Sequence, residues 1–253
     1  MKIAISGKGG VGKTMLAALL AKEFVHHGYS VLAIDADPDA NLASTLGFPH
    51  PEEITPISEM KELIEERTGA KTGQSGSFYK LNPKVDDIPD NYAKKLDGIR
   101  LMIMGRVKRG GGGCYCPENS LVQTLMAHLL VARNEVVILD MAAGIEHLGR
   151  ATAQAVEKFI VVVEPGRKSL ETAFQVKKLA SDMGVNLTLT VGNKIRSEAD
   201  QAFLKSSLPG FDFLGFIPYD TAITDAEISN SLAINSSPLV LKEIHHIYEK
   251  LVG

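Results

Sequence analysis

Eight residues near the N-terminus constrain this chain more than any other feature: Gly7-Lys8-Gly9-Gly10-Val11-Gly12-Lys13-Thr14. They stand between a short apolar run at residues 2–5 and a helical periodicity that opens at Lys13 and continues through Leu16, Leu19, Leu20 and Phe24. Strand before and helix after is the setting of a phosphate loop. Glycines let the backbone curl so that successive N–H groups point inward at phosphate oxygens. The helix N-terminus adds the positive end of its dipole. Lys13 brings a compact positive charge to the β- and γ-phosphates, and the Thr14 hydroxyl is a hard oxygen ligand for Mg²⁺. Gly9, Gly10, Val11, Gly12, Lys13 and Thr14 are therefore the candidate nucleotide-binding residues, with Mg²⁺ as the expected cofactor.

The rest of the chain keeps one rhythm. Apolar runs recur at residues 30–34, 100–104, 136–139, 159–163, 187–191 and 213–217. Several lack polar alternation, such as Phe159-Ile160-Val161-Val162-Val163, and strands buried on both faces read this way. Helical stretches lie between them at 120–132, 148–156, 168–183, 198–207 and 238–251. Alternation of this kind predicts an α/β fold, a mostly parallel sheet with helices on both faces. No Pro-, Gly- or Ser-rich linker divides two cores, so residues 1–253 read as a single domain. Two segments depart from the pattern. Residues 70–97 form a polar insertion with Gly73, Gly76, Pro83 and Pro89, expected to be mostly loop and an excursion from the sheet. Residues 110–117 form a glycine-rich loop that runs into Cys114-Tyr115-Cys116.

The 27 basic and 30 acidic residues give a net charge of −3, which argues against nucleic-acid binding through a bulk positive field. No run of about 18 apolar residues is present, so no membrane span is expected. The first residues lack the apolar stretch of a signal peptide, which points to the cytoplasm. The stretch 238–251 carries Leu241, Ile244, Tyr248 and Leu251 at helical spacing; with few basic residues, core packing is a better reading than membrane targeting.

A phosphate loop needs a metal-side carboxylate on a neighbouring strand, and Asp140 closes the run at 136–139, with Gly144 four residues on. Asp35-Ala36-Asp37-Pro38-Asp39 follows the second run; three alternating carboxylates repel one another unless a cation or ordered water lies near. One of them can orient an attacking water, and position alone does not say which.

Cys114 and Cys116 are the two cysteines, at i and i+2, so in an extended segment both thiols leave on one face. Two thiolates are half of a tetrahedral site. A homodimer across a two-fold axis would supply all four, holding zinc, nickel or an iron–sulfur cluster. His147 reads as a surface or hydrogen-bonded helix residue. His245 and His246 are adjacent on a helix and point in different directions, so they do not predict a shared metal. His26-His27 and His50 carry no pattern.

A general phosphate loop does not require Lys8. Lys8-Gly9-Gly10-Val11-Gly12-Lys13-Thr14 resembles the deviant phosphate loop of the MinD, ParA, nitrogenase-iron-protein and ArsA superfamily. That resemblance implies an ATP-hydrolysing homodimer in which Lys8 reaches the partner subunit's nucleotide. It places Asp37 at the water-positioning site of switch I (35–41), with switch II at 140–144. It assigns Asn193 and Lys194 to adenine contacts and Pro218 to the loop flanking the base. Met15 departs from the Thr common at that place. Four further stretches are similar to the CooC-type nickel-insertion ATPases and their AcsF relatives: Ile57-Ser58-Glu59-Met60-Lys61, Leu81-Asn82-Pro83-Lys84-Val85-Asp86, Cys114 to Ser120, and Ala143-Gly144-Ile145-Glu146-His147-Leu148. They imply nickel as the metal at Cys114 and Cys116, and carbon monoxide dehydrogenase or acetyl-CoA synthase as client. The rival expectations are an iron–sulfur cluster carrier and a MinD- or ParA-like partitioning ATPase.

Overall fold

The structure is a computed structural model that describes residues 1–70, 78–105, 116–131, 135–143, 148, 150–185, 187–228, 234 and 237–253. Its centre is an eight-stranded sheet: β1 (Lys2–Gly7), β2 (Val31–Ala36), β3 (Lys94–Leu96), β4 (Ile99–Ile103), β5 (Val136–Met141), β6 (Lys158–Val163), β7 (Thr188–Ile195) and β8 (Asp212–Pro218). The spatial order is β3-β4-β2-β5-β1-β6-β7-β8. Every pairing is parallel except the edge pair β3–β4. β1 lies centrally between β5 and β6, so the loop after it emerges at a point where the connections diverge to either side. Open α/β sheets bind their ligands at such points.

The uninterrupted apolar runs explain the two-sided core. Phe159, Val161 and Val163 of β6 pack into one cluster with Leu121, Leu125 and Val176. Ile160 and Val162 of the same strand pack into the opposite cluster with Leu16, Leu20 and Ile244. A period of two sends alternate side chains to opposite faces, and both faces are covered. The first cluster takes α5 (Pro117–Val131) and α7 (Arg167–Asp182); the second takes α1 (Lys13–His26) and α10 (Pro238–Val252). Helix α10 buries Val240, Ile244, Ile247, Tyr248 and Leu251 against the sheet. Its expected apolar stripe holds except for Leu241, which is exposed. Among the described residues no helix is long and apolar enough to cross a membrane.

Shorter elements complete the order: α2 (Leu42–Leu46), α3 (Lys61–Thr68), α4 (Ile88–Tyr92), α6 (Arg150–Gln154), α8 (Glu198–Ser207) and α9 (Thr221–Ile228). The sequence reading placed α8 with its observed bounds and drew the helix at 148–156 longer than α6. The described part of the 70–97 segment differs more from expectation. It carries α4 and β3 and buries Val85 and Ile88 in the core. It returns to the sheet as an edge strand rather than leaving it. Asp97 (φ 47°) and Gly98 (φ 80°) make the tight turn between β3 and β4, a two-residue hairpin whose central residues both need positive φ. Arg67 holds the segment by a two-pronged bond to Asp87, at 3.0 and 2.8 Å.

Candidate functional site

The phosphate loop joins β1 to α1, and two of its glycines are forced by close approach. Gly7 (φ 148°) lies against β6, where a Cβ would come within 2.4 Å of the Val162 carbonyl oxygen. Gly12 (φ 96°) precedes α1, and a Cβ there would sit 2.2 Å from Asn193 Nδ2. Lys13 is buried at the first position of α1, and Ser6, also buried, donates its hydroxyl to the Ala142 carbonyl at 3.1 Å. The loop is thereby pinned between the end of β5, β6 and the end of β7.

The strand-end carboxylates are sorted by burial. Asp35 and Asp140 face each other in register across β2 and β5, and both are fully buried. Burial pushes Asp35 up to about 6, against the pull of the Leu42 and Asp37 backbone N–H groups that its oxygens accept at 2.9 and 3.1 Å. Asp35 therefore ties the start of α2 to the sheet. Burial pushes Asp140 higher, to about 7, with the Asp35 charge adding to the rise; the nearby Thr14 hydroxyl and Lys13 ammonium oppose it. Neither Asp140 oxygen has a partner of hydrogen-bonding geometry among the described residues. A buried carboxylate left so beside a phosphate loop fits a hard divalent cation, which would restore its ionised form. Thr14 and Asp140 supply the oxygen donors that Mg²⁺ prefers. Asp37 is half-buried at the mouth of the site and accepts the Asp39 N–H at 3.1 Å; Asp39 is exposed.

Lys8 is engaged within its own chain. Its ammonium pairs with Glu164 Oε1 at 3.1 Å, and Glu164 Oε2 pairs with Lys194 at 3.2 Å. Partial burial works against the Glu164 charge, but the two lysines outweigh it and hold the carboxyl below its usual range. Lys194 adopts positive φ (57°) and donates to the Gly10 carbonyl at 2.6 Å. Asn193 donates to the Val11 carbonyl at 2.7 Å and accepts the Lys194 N–H at 2.8 Å. The amide expected to read a base thus spends one N–H and one lone pair on the chain itself. It retains one of each.

Beside these groups opens a cavity of about 450 Å³. Gly10, Gly12 and Met15 line its phosphate end, and Asn193, Arg196, Pro218, Tyr219 and Asp220 line the other. The size suits a nucleoside. Arg196 lies over the Tyr219 ring at 5.0 Å from its centroid. Tyr219 stands in the stretch Ile217-Pro218-Tyr219-Asp220 that the resemblance assigns to the loop flanking the base, whereas Glu164 and Arg196 are not among the residues the sequence singles out. For Glu164 a signal existed: it is the first charge after the apolar run 159–163, at the end of a central strand where such sheets bind ligands.

Cys116 is half-buried immediately before α5, and its carbonyl accepts the Ser120 N–H at 3.0 Å. Cys114, Gly144 and His147 lie outside the described residues, as do most of the expected metal loop and the last residue of switch II.

A phosphate loop opening the first helix of a parallel sheet, with a buried carboxylate at the next strand end, defines a P-loop nucleotide-binding protein. The family model described as the CobQ/CobB/MinD/ParA nucleotide binding domain matches residues 2–233, and the chain belongs to that family; it is an ATPase. The chain is 44% identical to the carbon monoxide dehydrogenase accessory protein CooC of Rhodospirillum rubrum, covering 100% of this chain and 96% of that one. An uncharacterised ATP-binding protein of Methanocaldococcus jannaschii is 45% identical over 100% of this chain and 98% of its own. Among solved structures, the cell division protein MinD of Aquifex aeolicus matches with a TM-score of 0.69 at 19% identity, covering 100% of this chain and 97% of that one. A ParA family ATPase of Chlorobium tepidum matches with a TM-score of 0.70 at 18% identity, covering 99% and 98%. These two show the shared fold.

Proposed function

We propose that the chain is a Mg²⁺-dependent, homodimerising ATPase that matures the nickel-containing centre of carbon monoxide dehydrogenase or acetyl-CoA synthase. The observation that carries the ATPase reading is Asp140, fully buried with neither oxygen partnered at hydrogen-bonding geometry among the described residues, where the phosphate loop would present a metal–triphosphate. The 44% identity to CooC along the whole chain supports the client.

In this reading Lys13 and the loop N–H groups of Gly9 to Thr14 bind the β- and γ-phosphates. Thr14 and Asp140 hold Mg²⁺, which neutralises phosphate charge when bound. Asp37 orients a water whose oxygen bonds to the γ-phosphorus as the bond to the β–γ bridging oxygen breaks, leaving ADP and phosphate. Lys8 of the partner subunit meets the charge that develops on the transferring group. Lys8 must first leave Glu164, so the pair resists dimerisation until nucleotide is present. Asn193 and Lys194 brace the phosphate loop from behind while facing the base with Pro218. Cys114 and Cys116 from two subunits carry nickel as cargo, with zinc as a stand-in.

The test is a nickel titration of reduced protein with and without Mg-ATP, followed by size-exclusion chromatography. The reading expects wild type to bind one nickel per two chains more than Cys114→Ser does, and to shift to the dimer with both ligands. Equal nickel binding by wild type and Cys114→Ser would move the cargo site elsewhere.

A further inference from the structure

At the opposite end of α1 from the phosphate loop, roughly 20 Å away by helical rise, three potential metal donors converge from two distant parts of the chain. Glu23 and His27 occupy the last turn and C-cap of α1, and His245 stands on α10. Each offers one ligand atom, and the three atoms lie within 4.8 Å of one another. His245 Nδ1 is 2.7 Å from Glu23 Oε1, and His27 Nδ1 is 3.6 Å from the same oxygen.

The donors sit on a braced platform. Phe24 packs edge-on to Tyr248 with ring centroids 5.0 Å apart. The His27 ring stacks on Tyr248 at 4.2 Å and runs near-parallel to His245 at 5.7 Å. His27 Nδ1 also lies 2.9 Å from the Glu23 carbonyl oxygen. That contact fixes the orientation of the ring beside the Glu23 carboxylate and His245, as the outer hydrogen bonds of metal-binding imidazoles do. Glu249 lies 3.7 Å from His245 Nε2, a second carboxylate within reach.

We propose that Glu23, His27 and His245 form a binding site for a borderline divalent transition ion such as Zn²⁺ or Ni²⁺, separate from the nucleotide cavity and from the cysteine pair. Two imidazoles and a carboxylate select such ions over Mg²⁺ or Ca²⁺, and three protein ligands leave a position open to water or a further donor. The site goes beyond the ATPase reading and rests on no part of it. The other cluster of this kind among the described residues, His50, Glu52 and Glu53, offers one imidazole on a short exposed turn and no such bracing.

The experiment uses the full chain without an affinity tag and with Cys114→Ser and Cys116→Ser, so that sulfur cannot report. Zn²⁺ is titrated against a chromophoric chelator with no nucleotide present, and Co²⁺ absorption gives the donor set. The expected result is one ion per chain, with affinity falling at least tenfold in His27→Gln and in His245→Gln. His246→Gln and His50→Gln should leave it within twofold. Far-ultraviolet circular dichroism and nucleotide binding check that each variant folds. No ion bound by the cysteine-free chain, or binding unchanged in both His27→Gln and His245→Gln, would overturn the proposal. The cluster would then serve only to pair α10 with α1.

Discussion

On the phosphate side of the cavity, the groups that matter are buried and set by backbone: Gly7 wedged against β6, Lys13 at the head of α1, Asp35 and Asp140 in register on adjacent strands. On the base side they are half-buried or exposed side chains at the ends of β7 and β8 and just beyond them, with the strand register shifting near Asn193. The two sides differ in how their free energy is stored. Asp140, with neither oxygen partnered at hydrogen-bonding geometry among the described residues, carries a desolvation cost that a cation removes, so the phosphate side is poised for metal and triphosphate. Asn193 and Lys194 are satisfied within the chain, so a base gains only their remaining donors and acceptors. Steep dependence on substitution belongs to the first side and shallow dependence to the second.

The largest effect expected is on Lys8. Lys8→Ala should lower the rate of ATP hydrolysis by about 10³–10⁵, or about 4–7 kcal/mol of barrier, with nucleotide affinity within a few-fold of wild type. Phosphate-release kinetics and equilibrium titration measure the two parts. A variant hydrolysing at the normal rate would remove Lys8 from the chemistry.

Asp140→Asn should lower Mg²⁺-dependent hydrolysis by roughly 10² or more, yet make the metal-free chain more stable at pH 7.5 by on the order of 2 kcal/mol. The sign follows from the raised pKa. Folded Asp140 titrates near 7 against 3.8 ordinarily, so between those values the folded chain holds more protons than the unfolded one. Stability of the metal-free protein therefore falls as pH rises from about 4 to about 7 and levels off above. Asp35, near 6, adds to the lower part of that window. Thermal melts of the metal-free protein across pH should show the slope in wild type and a smaller one in Asp140→Asn, and Mg-ADP should reduce it in wild type.

Glu164→Gln weakens the hold on Lys8 and Lys194. With a half-buried pair worth about 1 kcal/mol, the ATP concentration for half-maximal dimerisation should fall about three- to tenfold, read by light scattering. A rise instead would make Glu164 a contributor to the dimer. The smallest effect belongs to the base side: Tyr219→Ala should weaken ATP binding about two- to fivefold and leave turnover nearly unchanged.

The sequence made the phosphate side readable because its demands are local. Glycine spacing, the following helix and a carboxylate closing an apolar run all fall within a few residues of the groups they serve. The sheet was readable for a related reason, since uninterrupted runs such as 159–163 require cover on both faces. Pairings across the fold were not. Glu164 meets Lys8 and Lys194 only when β6 lies between β1 and β7, and Glu23 meets His245 only when α10 packs on α1. The Asp97-Gly98 turn did carry a hairpin signal, masked by the polar residues around it and the brevity of β3.

The central claim is that each active site is completed by Lys8 of the partner subunit, and mixing two inactive proteins tests it most directly. Lys8→Ala keeps its own Asp37, and Asp37→Ala keeps its own Lys8. Combined in equal amounts with Mg-ATP, half of the dimers should be mixed, each with one complete site, and ATPase activity should return to about a quarter of wild type. Activity in the mixture no greater than the average of the two variants alone would show that Lys8 acts within its own subunit and would contradict the account.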